Sequence, residues 1–318
     1  MNIKLKLIDI LSNGKIYSGN RLSKNLGISI SSLSSKINIL KSWGLDTHIT
    51  SENEYYLLNS IKLINEKEIK SKLGKDTVLF IPVLNSTNQY LLDHIDFLRS
   101  GDICVAEHQI VGRGRHGRCW YSPFGCNVYM SMCWKLKHKR NILSSIALVI
   151  GVLVAETIQS LGVKNIYTKW PNDLYINGSK FAGILIEINK IRYNYTKIII
   201  GVGINISMLN NFKNNLKINS QWITLKEIGY DINRNDLIVN LTKNFRKFLP
   251  IFEKEGFSPF LLRWKNLDSF TNKYVKLIIG KRELHGISRG IDNRGALILE
   301  NNGKIQSWLG GEISLRTV

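Results

Sequence analysis

Within the first sixty residues, apolar side chains recur at helical spacing with a break in the middle. Leu22 and Leu26 lie four apart, Gly27 interrupts, Ser29 is placed to cap, and Leu33, Ile37 and Leu40 resume the period. The pattern predicts a helix, a turn and a second helix between Ser18 and Gly44, with Gly44 as the stop. Thr47 to Leu58 reads as two short strands around Ser51-Glu52-Asn53, a hairpin like the wing of a winged helix-turn-helix. The polar, lysine-rich stretch from Asn59 to Lys75 reads as a connector, and a first domain of residues 1–62 follows.

After the connector, strand-like runs alternate with helical ones. Val78 to Val83 predicts a strand, Ser86 to Arg99 a helix, Ile103 to Glu107 and Asn127 to Trp134 two further strands, and Ser144 to Leu161 a long helix. Strands are also predicted at Ile166 to Lys169, Phe181 to Ile188 and Lys197 to Ile204, giving an α+β unit with a mixed sheet over residues 63–270. From Lys273 the pattern changes to short strands punctuated by Gly280, Gly286, Gly290, Gly295, Gly303 and Gly310-Gly311, which suits a small barrel over residues 271–318.

Composition narrows the class. The longest apolar stretch, Ile146 to Ala155, is about half of a bilayer crossing and is closed by Glu156, so it reads as a buried helix. The start, Met1-Asn2-Ile3-Lys4-Leu5-Lys6, has no h-region, and a cytoplasmic location is expected. Cys104, Cys119, Cys126 and Cys133 have no Cys-x-x-Cys spacing, and the six histidines are scattered, so reduced thiols and no protein-ligated metal are expected. The net charge of +20 suits a nucleic-acid partner. However, stretches such as Lys213 to Asn219 show lysine and asparagine used heavily throughout, as a biased genome writes onto any surface, so total charge does not name the partner.

Three clusters carry chemistry. Gly112-Arg113-Gly114-Arg115-His116-Gly117-Arg118 satisfies G-x-G-x-x-G, but Trp120-Tyr121-Ser122-Pro123 follows where a helix should open, and Met132 stands where an acidic residue should. What remains is a glycine-rich loop with three arginines, suited to phosphate or carboxylate. Lys169-Trp170-Pro171-Asn172-Asp173 precedes Lys180 to Glu187, which places a lysine and a carboxylate on adjoining strands where both can face one cleft. Asn85-Ser86-Thr87-Asn88 is an N-cap for the helix that follows.

These clusters occur together and in order, joined by Glu107-His108-Gln109, Gly201-Val202-Gly203-Ile204-Asn205 and the tail Trp308 to Arg316. In that combination the chain resembles the bacterial family of bifunctional biotin–protein ligases and biotin-operon repressors, from Leu5 to Arg316. The resemblance implies a central fold similar to class II aminoacyl-tRNA synthetases, followed by an SH3-like barrel. It implies ATP-dependent activation of biotin to biotinyl-adenylate, with Mg²⁺, and transfer to a lysine of the biotin carboxyl carrier protein. Biotin is then expected at Ser86, Thr87, Asn88, Gln109, Gly112, Arg113, Gly114, Arg115, Lys180, Gly183 and Gly201. The nucleotide is expected at Arg118, Trp222, Asn172 and Asn205. Lys180, Arg113, Arg115 and Arg118 supply the cations for two anions that must react, and Asp173 is the candidate to orient the acceptor lysine or take its proton.

Operator DNA and a homodimer formed on adenylate binding are implied partners. The DNA-reading candidates are Ser29, Ser31, Ser34, Ser35 and Lys36, in the helix-turn-helix of residues 19–38. Here the chain departs from the family. Ile30 stands where the family carries arginine, and the wing reads Ser51-Glu52-Asn53-Glu54, whose carboxylates oppose DNA phosphates. Degraded operator binding beside an intact ligase is therefore expected. The competing readings are a regulator that uses the adenylate site only as a sensor, and a lipoate ligase of the same fold.

Overall fold

The structure, a computed structural model, describes residues 2–74, 77–137, 143–192, 195–208, 222–309 and 313–317. Three helices, α1 (Ile3–Leu11), α2 (Gly19–Leu26) and α3 (Ile30–Ser42), and three strands, β1 (Tyr17–Ser18), β2 (Thr47–Ile49) and β3 (Glu54–Leu57), follow in the order α1-β1-α2-α3-β2-β3. Ser18 caps α2, Gly27 ends it at φ 65°, and Ser29 accepts from the Ser32 amide at 3.2 Å to start α3. Leu22, Leu33, Ile37 and Leu40 are fully buried against Leu7, Ile8 and Leu11 of α1, whereas Leu26 is only partly covered. The strands pair antiparallel in the order β1-β3-β2, with Asn53 in the left-handed conformation at the turn.

The expected connector is more than a linker. It contains α4 (Glu66–Leu73), capped by Asn65, with Ile69 and Leu73 in the main core. Lys75 lies outside the described residues.

The central unit is built on β4 (Val78–Phe80), β6 (Ile103–Ala106), β8 (Val128–Lys137), β9 (Ile166–Lys169), β10 (Asp173–Ile176), β11 (Ser179–Arg192) and β12 (Tyr195–Ile204). Their order is β4-β6-β8-β12-β11-β10-β9, and only the β4–β6 pair is parallel. The strand expected from Val78 to Val83 is broken at Pro82, whose carbonyl takes the amides of Glu107 and His108. Beyond it, β5 (Val83–Leu84) pairs with β7 (His108–Gln109) in a separate ribbon. The helix expected from Ser86 to Arg99 is also shorter. α5 (Thr87–Asp93) ends where the His94 ring sits 2.8 Å from the Tyr90 carbonyl, taking the acceptor that another turn would use, and a 3₁₀ turn over Ile95–Phe97 follows.

α6 (Ile146–Ser160) is buried along most of its length and packs on α7 (Arg234–Glu255) and α8 (Ser258–Lys265). No helix among the described residues is long and apolar enough to cross a membrane. The C-terminal strands β13 (Tyr274–Ile279), β14 (Arg282–Ile291), β15 (Leu297–Asn301), β16 (Lys304–Trp308) and β17 (Ile313–Thr317) form one antiparallel sheet in the order β16-β15-β14-β13-β17. Val275, Leu277, Leu297 and Leu299 join the main core, and Trp170 Nε1 donates to the Gly295 carbonyl at 3.0 Å. Gly310-Gly311-Glu312 and the stretch from Lys213 to Asn219 lie outside the described residues.

Candidate active site

β11 and β12 carry glycines where the sheet must be approached closely. Gly183 pairs with Gly203, and Leu185 with Gly201. A Cβ at Gly201 would stand 2.3 Å from Asn88 Oδ1, one at Gly203 2.5 Å from the Trp120 ring, and one at Gly183 2.9 Å from that ring. Glycine therefore lets the first turn of α5 and the Trp120 indole lie on the sheet. A cleft of about 480 Å³ opens there.

Its polar wall is a hydrogen-bonded series. The Thr87 amide and hydroxyl donate to Gln109 Oε1 at 2.9 and 3.1 Å, and Gln109 Nε2 donates to Ser122 Oγ at 3.0 Å. The Ser131 hydroxyl lies 2.7 Å from Thr87 Oγ1 and 2.5 Å from Asn88 Oδ1. These groups are buried and paired, so the wall is preorganised for a neutral polar ligand.

The cations come from two directions. Lys180 Nζ donates to Asp173 Oδ1 at 2.6 Å across the β10–β11 hairpin, as expected for adjoining strands, and stands 5.4 Å from the Trp120 ring centroid. The arginine loop is a tight hairpin in which Trp120 N–H meets the Gly112 carbonyl, Gly114 N–H meets that of Arg118, and His116 and Gly117 turn at positive φ. From it Arg113 donates to Glu187 Oε2 at 2.8 Å and Arg115 to Asn172 Oδ1 at 2.9 Å. Burial lowers the affinity of the Arg115 guanidinium for its proton; Asp173 opposes that shift, and the like charge of Arg118 adds to it.

The structure places Ser86, Thr87, Asn88, Gln109, Arg113, Gly114, Arg115, Asn172, Lys180, Gly183 and Gly201 on the cleft. Asp173 reaches it through Lys180. Gly112 is buried behind it, where a Cβ would meet the Trp120 carbonyl at 2.2 Å, so this glycine serves closure of the hairpin. Arg118 is exposed at the base of the loop. Asn205 is buried beyond β12, its amide bonded to the Phe181 carbonyl, and Trp222 bridges to the Lys180 backbone. Ser29, Ser31 and Ser35 are exposed and Ser34 and Lys36 half-buried on or beside α3, apart from the cleft.

Two family models match the chain. The biotin/lipoate A/B protein ligase family model matches residues 80–205, and the biotin protein ligase C-terminal domain matches residues 270–316. The bifunctional ligase/repressor BirA of Escherichia coli (strain K12) is 46% identical over 315 residues, covering 99% of this chain and 98% of that protein. The chain belongs to the bacterial bifunctional biotin–protein ligase/repressor family. BirA of Bacillus subtilis (strain 168) is 28% identical, with 98% of each chain covered. A biotin protein ligase from Aquifex aeolicus, solved in complex with biotin and ATP, superposes with a TM-score of 0.66 at 27% identity, over 76% of this chain and 99% of that one.

Tyr129 and, behind the wall, Ser131 also shape this ligase/repressor cleft without a signal in the sequence, and Trp120 and Gly203 stand in quoted segments to which no site role was assigned. Gly201-x-Gly203 inside a strand was the available signal for the flat floor, since glycine in a strand interior marks close approach. The link to the N-terminal unit was not foreseen either: the Trp43 ring stacks on His108 and Phe124 at centroid distances of 5.4 and 6.0 Å. Beside it, the buried Arg234–Glu107 pair holds the Lys62 carbonyl and the Ile64 amide.

Proposed function

We propose that this chain activates biotin with ATP to biotinyl-5'-AMP and transfers the biotinyl group to a lysine of the biotin carboxyl carrier protein. The observation that carries the reading is two cations, Lys180 and Arg113, each already paired with a carboxylate, on one cleft floored by glycine. Ser86, Thr87, Asn88 and Gln109 receive the ureido ring, with Gly183 and Gly201 allowing close backbone approach. Lys180 receives the carboxylate end of the valerate tail. Arg113, Gly114 and Arg115 fold over biotin and its adenylate, while Arg118, Asn172, Asn205 and Trp222 serve the nucleotide. The Aquifex aeolicus ligase, solved with biotin and ATP, supports this use of the shared fold.

In the first step a biotin carboxylate oxygen attacks the α-phosphorus as the bond to pyrophosphate breaks. Fixed cations lower this barrier because two anions meet and charge builds on the phosphoryl oxygens. Lys180 moves its charge from Asp173 to the reacting anions. In the second step the acceptor amine attacks the mixed-anhydride carbonyl, AMP leaves, and Asp173, released from Lys180, takes the proton. Mg²⁺, when bound with ATP, would supply charge neutralisation on the triphosphate, beside the cations of Lys180 and Arg113.

The domains run 1–62, 63–270 and 271–318: a winged helix-turn-helix, a class II synthetase-like catalytic unit and an SH3-like barrel. The first binds operator DNA through Ser29, Ser31, Ser34, Ser35 and Lys36, weakly because Ile30 presents no donor, and the adenylate-bound protein forms a homodimer. Exchange of labelled pyrophosphate into ATP tests the activation step. Exchange that requires biotin and ignores lipoate is expected; exchange driven by lipoate would transfer the reading to a lipoate ligase.

A further inference from the structure

Glu187 enters the scheme above only as the partner of Arg113, yet one of its oxygens meets both halves of the cleft. Oε2 accepts from Asn88 Nδ2 at 2.7 Å and from Arg113 Nη2 at 2.8 Å. Asn88 is the residue that lies on the Gly201 floor, and it is tied through Ser131 to Thr87 and Gln109. Arg113 belongs to the loop, and its Nε is buried with no hydrogen-bond partner among the described residues. The carboxylate is thus the joint between the neutral wall and the cationic loop. Its side chain is three-quarters covered, so the pair is only partly screened by solvent.

We propose that Glu187 is a positioning residue for the ligation reaction, fixing Asn88 for biotin through its oxygen and holding Arg113 for the reacting anions through its charge. The proposal rests on the ligase reading above. The two tasks need different properties of one side chain. Holding Asn88 needs a hydrogen-bond acceptor, which an amide oxygen also supplies. Holding a guanidinium in place needs the negative charge, because a charge-assisted bond is roughly twice as strong as a neutral one. A residue that merely supports the fold would not separate these two effects.

Glu187→Gln keeps the acceptor and removes the charge, whereas Glu187→Ala removes both. With E187Q, KM for biotin is expected to stay within about threefold of the parent while kcat for adenylate formation falls about tenfold, near 1.4 kcal/mol. E187A is expected to show the same fall in kcat and, in addition, a KM for biotin raised at least about tenfold. Thermal melting of both variants identifies any general loss of folding. Equal effects of the two variants on both constants, or no effect of either, would overturn the proposal while leaving the ligase reading intact. A parent protein that forms no biotinyl-adenylate would overturn both.

Discussion

Lys180→Ala removes a cation from the cleft of the proposed chemistry. Its Nζ lies 2.6 Å from Asp173 with the side chain 24% exposed, so the charge is held in a partly desolvated hairpin. Two unit charges about 4 Å apart at an effective dielectric of about 20 interact by roughly 4 kcal/mol. Removal of one preorganised donor from a transition state costs about 2.7–4 kcal/mol, or 10²–10³ in rate. The loss is expected in that range because alanine also leaves the Asp173 carboxylate unpaired beside two reacting anions. Changing Asp173 to Asn in the same background should recover part of the rate. Pyrophosphate release at saturating biotin and MgATP is the assay, with single-turnover adenylate formation separating chemistry from release. A rate within about threefold of the parent, under 1 kcal/mol of barrier, would remove Lys180 from the mechanism.

Arg115→Ala should leak free biotinyl-adenylate into solution and slow transfer by about tenfold, since the loop both adds charge and excludes water; normal transfer with no free adenylate refutes closure by this loop. Burial holds the His108 ring below its ordinary value of 6.5, opposed by its bond to the Ser122 carbonyl. Its contribution to stability is therefore complete above 6.5 and lost as pH falls through the lowered folded value. Melts of the parent and His108→Gln at about pH 7.5 and 5.5 should show the larger acid loss in the parent; equal losses exclude His108. On DNA, preference for the biotin-locus promoter over scrambled sequence is expected below about 10³ at fixed salt, and a larger ratio refutes weakened reading.

α2 and α3 were legible because Leu22 is buried on the first and Leu33, Ile37 and Leu40 repeat at i, i+4 and i+7 on the second, with Ser18 and Ser29 capping their starts, whereas α1 was not predicted. The Lys180–Asp173 pair was legible because a short hairpin separates its members. α7 was missed although Leu237, Leu241, Phe245, Leu249 and Phe252 keep helical spacing; the surrounding lysines and asparagines, and Pro250 within it, obscured the stripe. Contacts across long sequence separations left no local signal. Glu187 meets Asn88 and Arg113 only because β12 pairs with β11 on one side and β8 on the other, and α5 packs on β8 and β12. The Trp43–His108 stack and the Arg234–Glu107 clamp likewise arise from how the units dock, and periodicity is blind to docking.

Ligation itself provides the most direct test. Purified protein is mixed with biotin, MgATP and a biotin carboxyl carrier domain, and the domain is weighed by intact-protein mass spectrometry, with an acceptor-lysine-to-arginine domain in parallel. The account predicts that the carrier gains the mass of one biotinyl group, that the gain requires ATP, and that the arginine version gains nothing. A carrier whose mass is unchanged in the complete mixture, or one that gains lipoyl in preference to biotinyl when both acids are supplied, would contradict it.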